Sequence, residues 1–227
     1  MDTGDSVTRE RVLEMAGQLF LQHGYAGTSL KMIAQELDIS APALYWYFPS
    51  KEEIYAVVIE TAMRDFLEYV RKSVTADDPV THLSQVVRAH VTWQLNQADV
   101  ARAFAFTMGA LSQHLPEDRA REIRSMEREY LDDVREILRS GGDTGHFQVA
   151  DVTTTAFAII TMCEYVHTWF NPDGPLSVEA VANRYERLAL AMAQAGAPAA
   201  PAAPAAPVAH VAQGAQGTAR TRTRRPS

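Results

Sequence analysis

Thr28-Ser29-Leu30-Lys31-Met32-Ile33-Ala34-Gln35-Glu36-Leu37-Asp38-Ile39-Ser40-Ala41-Pro42-Ala43-Leu44-Tyr45-Trp46-Tyr47-Phe48 decides how this chain is read. Leu30, Ile33, Ala34 and Leu37 recur at helical spacing, so a short helix buries one face. Asp38-Ile39-Ser40 then breaks the run with turn and cap residues. Ser40 can accept from the free N–H groups that open the next helix, and Pro42 suits a first turn because a proline there loses no intrahelical bond. Two short helices joined by so brief a turn make a helix-turn-helix unit. Its second helix is narrow enough to enter the major groove of DNA.

The aromatic run sharpens that expectation. Leu44 and Phe48 lie four apart and can pack down on neighbouring helices. Tyr45 and Tyr47 cannot both share that face, so at least one phenol must look outward. A ring with a polar tip can cover a sugar and bond a phosphate. Upstream, Val12, Met15, Ala16, Leu19 and Phe20 form an apolar stripe that His23-Gly24 ends in the C-cap position. Downstream, Ser50-Lys51-Glu52-Glu53 has the Ser-x-x-Glu form of a capping box, so a new helix starts there.

The pattern Phe20-x-x-x-Gly24-Tyr25-x-x-Thr28-Ser29-x-x-x-Ile33-Ala34, followed by Ser40-x-x-x-Leu44-Tyr45-x-Tyr47-Phe48-x-x-Lys51, resembles the DNA-binding domain of the TetR family of bacterial transcriptional regulators. The resemblance implies that Ala41, Pro42 and Ala43 lie nearest the base edges. Small apolar groups there can meet thymine methyls but cannot make bidentate bonds to guanine. It further implies that Tyr45, Trp46 and Tyr47 meet the backbone, with Ser29, Lys31 and Lys51 on phosphates. A positive helix N-terminus beside the Lys51 ammonium favours an anion.

Composition narrows the alternatives. The 227 residues are 47% hydrophobic, enough for a small domain plus a larger one. No run of eighteen apolar residues occurs, so no membrane span is expected. The acidic start Met1-Asp2-Thr3-Gly4-Asp5 does not read as a signal peptide. The lone Cys163, in an apolar pattern, reads as a small core residue and fits a reducing cytoplasm. Charge opposes the motif: residues 1–60 hold four Lys/Arg against nine Asp/Glu, a formal −5. DNA binding must then rest on local placement of Lys31, Lys51 and helix N-termini, with modest affinity away from the proper site.

Beyond Ser50 the pattern is helical almost throughout. Residues 51–75 form one long helix, Asp77-Asp78-Pro79 breaks it, and further segments run over about 80–96 and 98–113. Glu117–Arg139 reads as a surface helix with i,i+4 ion pairs and one apolar stripe, ended by a loop at Ser140-Gly141-Gly142-Asp143. Val149–Trp169 is apolar on more than one face. After the turn Asn171-Pro172-Asp173-Gly174-Pro175, a last helix starts from a simple Ser177 cap. Two such apolar helices near the end point to a four-helix interface with a second copy.

The fold expected is therefore all-α. An N-terminal three-helix helix-turn-helix domain spans 1–50, with the motif at about 29–48. A helical ligand-binding and dimerisation domain spans 51–196. An Ala/Pro-rich disordered tail spans 197–227 and ends on Arg220, Arg222, Arg224 and Arg225.

Trp169-Phe170-Asn171-Pro172-x-Gly174-x-Leu176-Ser177-x-Glu179-x-x-Ala182-x-x-Tyr185 is similar to the C-terminal domain of TetR-type regulators that respond to acyl-CoA thioesters. Asn171 departs from that pattern, in which a basic residue is common. Trp93, Phe104, Phe106, Met108, Phe157, Met162, Tyr165 and Trp169 are candidates to line an apolar cavity, with Arg88, Arg102 and His90 for an anionic head group. A cationic ligand wants buried carboxylates, and this set of wall residues holds no dense cluster of them.

An enzyme is disfavoured: the chain has no Gly-rich phosphate loop, no Gly-x-Ser-x-Gly and no His-x-x-x-His pair. No metal or cofactor is implied. The reading is a homodimeric cytoplasmic repressor that binds double-stranded operator DNA and is released by a small apolar or acyl-CoA-type effector. A drug- or antibiotic-responsive repressor is the alternative. A helical scaffold with a degenerate DNA domain stands behind both.

Overall fold

The structure is a computed structural model and describes residues 8–97 and 115–194. Every regular element among these residues is helical. The expected helix over 98–113, with Arg102, Phe104, Phe106 and Met108, lies outside the described residues, as does the tail over 197–227.

Helix α1 spans Arg9–Gly27, but Gly24 interrupts it with φ 70°. Glycine takes that left-handed angle without a Cβ penalty. The helical run from Thr8 therefore ends where His23-Gly24 predicts, and one separate turn follows. Thr28 closes the corner: its buried hydroxyl donates to the carbonyls of Leu19 and Gly24 at 3.1 and 2.9 Å. Helices α2 (Leu30–Glu36) and α3 (Ala41–Tyr45) come next. Between them Asp38 takes φ 54°, a conformation short polar side chains tolerate. The hydroxyls of Ser29 and Ser40 cap the two helices by accepting from Met32 and Ala43.

Helix α4 (Lys51–Ser73) is the long connecting element, and Ser50 caps it by accepting from the Glu53 N–H. A full capping box would return the Glu53 carboxylate to Ser50. Instead Arg119 takes it, at 2.8 Å. Helix α5 (Pro79–Asn96) opens on an Asp78 cap with proline in its first turn.

Helix α6 spans Glu117–Asp143, past the loop expected at Ser140-Gly141-Gly142. The helix continues because Gly141 gives the Phe147 ring a seat. A Cβ there would stand 2.0 Å from Phe147 Cδ2. Nor is α6 only a surface helix, since Tyr130, Leu131, Val134, Ile137 and Leu138 are buried. Helix α7 (Val152–Glu164) runs into a 3-10 turn at Tyr165–Thr168, and α8 spans Val178–Gln194 from the Ser177 cap.

Two apolar clusters result. One lies under the helix-turn-helix and joins Val12, Leu19, Phe20, Ile33, Leu44 and Phe48 to Ile54 and Tyr55 of α4. The other joins Met63, Phe66 and Val70 of α4 to α5, α6, α7 and α8. Fully burying a side chain such as Ile54 or Leu83 contributes about 1.5–3 kcal/mol. Helix α4 therefore sits in both cores, and Ile123 of α6 reaches the first.

Candidate DNA interface and effector cavity

Packing Leu44 and Phe48 inward turns the neighbouring rings out. Leu44 and Phe48 are buried, whereas Trp46 is 90% exposed and Tyr45 55%. Exposing an indole to water has no packing return, which makes this surface the candidate for an interaction. Tyr47 is half-buried and packs at the edge of the first cluster. Ser29, Lys31 and Pro42 are exposed on the same two helices, with Ala41 and Ala43 half-buried.

Lys51 has an internal task. Its ammonium donates to the carbonyls of Tyr25 and Thr28 at 2.8 and 2.9 Å and sits 4.0 Å from the centre of the Tyr25 ring. The Tyr25 hydroxyl in turn donates to Glu52 at 2.6 Å, and that bond holds the Glu52 carboxyl below its usual range. Lys51, Tyr25 and Glu52 thus fasten the end of α1 to the start of α4. Arg9 lies over the Phe48 ring at 4.6 Å from its centre.

A second site opens in the larger core. An apolar cavity of about 210 Å³ lies between α4, α5, α6 and α7. Ile59, Met63 and Phe66 wall it from α4, and Trp93 enters from α5 as expected. Phe157 of α7 also lines it, as expected. The other expected wall residues that fall among the described ones are elsewhere. Arg88 faces away on α5, 3.9 Å from Glu186. Met162 is half-buried against the core on another side of α7. Tyr165 and Trp169 are about half-exposed, and Trp169 donates through Nε1 to Tyr185 at 2.9 Å. A helix presents residues 100° apart, so Ile160, Thr161 and Glu164 face the cavity while Met162 faces away, and Tyr165 stands past the end of α7 in the 3-10 turn.

The polar lining is also different from the one expected. His90 is buried, bonds Tyr130 through Nδ1 at 3.0 Å, and burial pushes its pKa down to about 3. A neutral imidazole offers no charge to an anionic head group, contrary to the role expected for it. Glu127 and Glu164 both line the cavity. Burial raises both carboxyls; Glu164, further raised by Glu127, reaches about 7. Two acids thus line a wall in which the sequence leads one to expect no dense carboxylate cluster. Glu164 is visible in the sequence as an isolated acid in an apolar helix; Glu127 is hidden in the charged run of α6. Arg128 and Thr161, exposed residues that also line the cavity, mark its mouth.

Asn171 has a local role in the turn before α8. Its side-chain oxygen accepts from the Asp173 N–H at 3.1 Å, and its carbonyl accepts from Gly174 at 3.0 Å. Among the described residues, no three His, Cys, Asp or Glu side chains are grouped to hold a metal ion. No described helix is long and apolar enough to cross a membrane.

Residues 12–58, which carry the capped helix pair and its exposed aromatics, match the bacterial regulatory proteins of the tetR family. Residues 76–193 match the tetracyclin repressor-like C-terminal domain. The chain belongs to the TetR family. It is a ligand-responsive, DNA-binding transcriptional regulator and not an enzyme.

The second match covers α5 to α8 and with them three walls of the cavity. The HTH-type transcriptional repressor KstR2 of Mycolicibacterium smegmatis is 28% identical over 192 residues, 80% of this chain and 88% of that protein. The structure of the TetR-family regulator PfmR from Thermus thermophilus aligns with a TM-score of 0.70 at 30% identity, over 83% of this chain and 100% of that one. AibR, solved in complex with isovaleryl coenzyme A and operator DNA, has the same fold. Its TM-score is 0.72 at 24% identity, over 79% of this chain and 96% of AibR.

Proposed function

We propose that this regulator is a cytoplasmic homodimer that represses at its operator until an acyl-CoA-type thioester fills the cavity. One observation carries the proposal: the same α4 walls the cavity with Ile59, Met63 and Phe66 and enters the helix-turn-helix core with Ile54 and Tyr55. A ligand favouring one orientation of α4 shifts the population of the DNA-reading domain with it. The likeness to AibR, solved with isovaleryl coenzyme A, supports the effector class, and Arg128 at the mouth offers a cation to its phosphates.

The second copy meets α7 and α8, which leave Phe157 and Leu188 about half-exposed, as the turn between them leaves Tyr165 and Trp169. The two reading heads then sit about one DNA turn, ~34 Å, apart. Trp46, Tyr45 and Tyr47 lie on the backbone, Ala41, Pro42 and Ala43 on base edges, and Ser29 and Lys31 on phosphates. Lys51 has one further N–H for a phosphate after serving its two carbonyls. The domain boundaries proposed are 1–50 and 51–196.

One observation favours a second reading, a drug-responsive repressor: a lipophilic cation would find Glu127 and Glu164 in the wall. Titrating the complex with the DNA upstream of its own gene separates the two. Release by acyl-CoAs supports the thioester, and release by lipophilic cations alone supports the drug. No complex with that DNA favours a scaffold.

A further inference from the structure

Glu164 is 8% exposed and Gln94 7%, both line the cavity, and each keeps polar capacity unspent. Among the described residues the Glu164 carboxyl has no hydrogen bond or ion pair. Gln94 meets His90 at 3.4 Å through its amide nitrogen and leaves its buried Oε1 without a partner. Buried polar groups left this way are costly; a ligand carbonyl can accept from the Glu164 O–H and from the second Gln94 N–H and recover part of the loss, while the Gln94 Oε1 would need a donor.

We propose that the effector carries a neutral carbonyl at its buried end, held by a hydrogen bond from the Glu164 carboxyl, and that the cavity turns away free carboxylates. The inference deepens the reading of this cavity as the effector site and rests on it. An acid kept neutral by an apolar site donates its O–H to a carbonyl oxygen, whereas its anion can only accept. The groups facing Glu164 favour that state. Helix α4 presents Ile59, Met63 and Phe66. Helix α5 presents neutral His90, and α6 presents Tyr130 and the like-charged Glu127, with Arg128 out at the mouth. A carboxylate entering here would meet Glu127 and any ionised Glu164 with no buried cation among the described lining residues to receive it. The thioester or ketone of an apolar acyl group fits; the corresponding free acid does not.

The binding arm of the test needs no DNA. Methyl octyl ketone, decanoate and decylamine, matched in chain length, are titrated into the full-length protein by calorimetry at about pH 6 and about pH 8. The ketone is expected to bind at least tenfold more tightly than decanoate at the lower pH. Its affinity should fall about tenfold at the higher pH, as the un-ionised fraction of Glu164 falls. In Glu164→Gln, whose amide N–H also donates but cannot ionise, ketone binding should persist and lose its pH dependence. Tightest binding by decylamine, abolished in Glu164→Gln, would make this a cation site and overturn the proposal. So would decanoate matching the ketone, no ketone binding, or a wild-type affinity that ignores pH. That last outcome does not depend on the variant folding. Ketone binding through Glu164 without release from the operator would instead fail only the reading of the cavity as the effector site.

Discussion

Arg119, in the first turn of α6, donates to the buried carboxylate of Glu60 on α4 at 3.1 Å and through its other nitrogen to Glu53 at 2.8 Å. Arg64 also reaches Glu60, and it bonds Glu122 at 3.3 Å. This network ties the cavity's α6 wall to the part of α4 that enters the helix-turn-helix core.

Arg119→Leu should lower stability by about 1–2 kcal/mol, because Glu60 keeps Arg64 but loses its second donor. It should also weaken the effector's influence on DNA while leaving operator affinity nearly unchanged. Melting curves and effector titrations of the operator complex check both. Undiminished release would remove Arg119 from the coupling.

Trp46→Ala should leave the melting temperature within a degree or two and weaken operator binding at least tenfold, since the indole is exposed and packs on nothing. Lys31→Ala should reduce affinity similarly on all sequences and flatten the salt dependence by about 0.9 per phosphate lost. Fluorescence anisotropy over a salt series distinguishes the two effects.

Much of this DNA face is legible in the sequence, because caps, turns and a short apolar period are local signals. Ser40, Ser50 and Ser177 all cap where the sequence places caps. The cavity is not legible in the same way. Its wall depends on which side of α7 turns inward, and Ile160 and Met162 are equally apolar as letters. Lys51 reads as a phosphate ligand because the family resemblance and a helix start both put it there; its carbonyl partners, Tyr25 and Thr28, are distant in the chain. Gly141-Gly142 reads as a loop because only the fold brings Phe147 over the helix.

Gly141→Ala should destabilise the protein by about 1–3 kcal/mol despite alanine's higher helix propensity, since the new methyl collides with the Phe147 ring. Gly142→Ala, which meets nothing within 4 Å, should be neutral or slightly stabilising. Denaturant midpoints of the pair decide it.

Glu164→Gln should be more stable than the native protein at about pH 8 and lose that advantage towards pH 5. Burial raises the folded-state carboxyl from 4.5 to about 7, so the folded protein holds a proton that the unfolded chain releases. Stability from this group is present below the unfolded value and lost as pH rises through about 7, by up to about 3 kcal/mol. His90, held neutral by burial, acts in the opposite direction as pH falls, but it is common to both proteins. A difference in stability that stays flat with pH would contradict the environment assigned to Glu164.

The central claim is that the cavity between α4 and α7 is where an effector acts on DNA binding. Thr161 is exposed at the mouth, so a large side chain there can block entry without disturbing the core. The most direct measurement is the acyl-CoA concentration that halves operator binding by wild type and by Thr161→Trp. The account predicts equal operator affinity for the two proteins and at least a tenfold higher concentration for the variant. Equal release of both would place the effector somewhere else and contradict the claim.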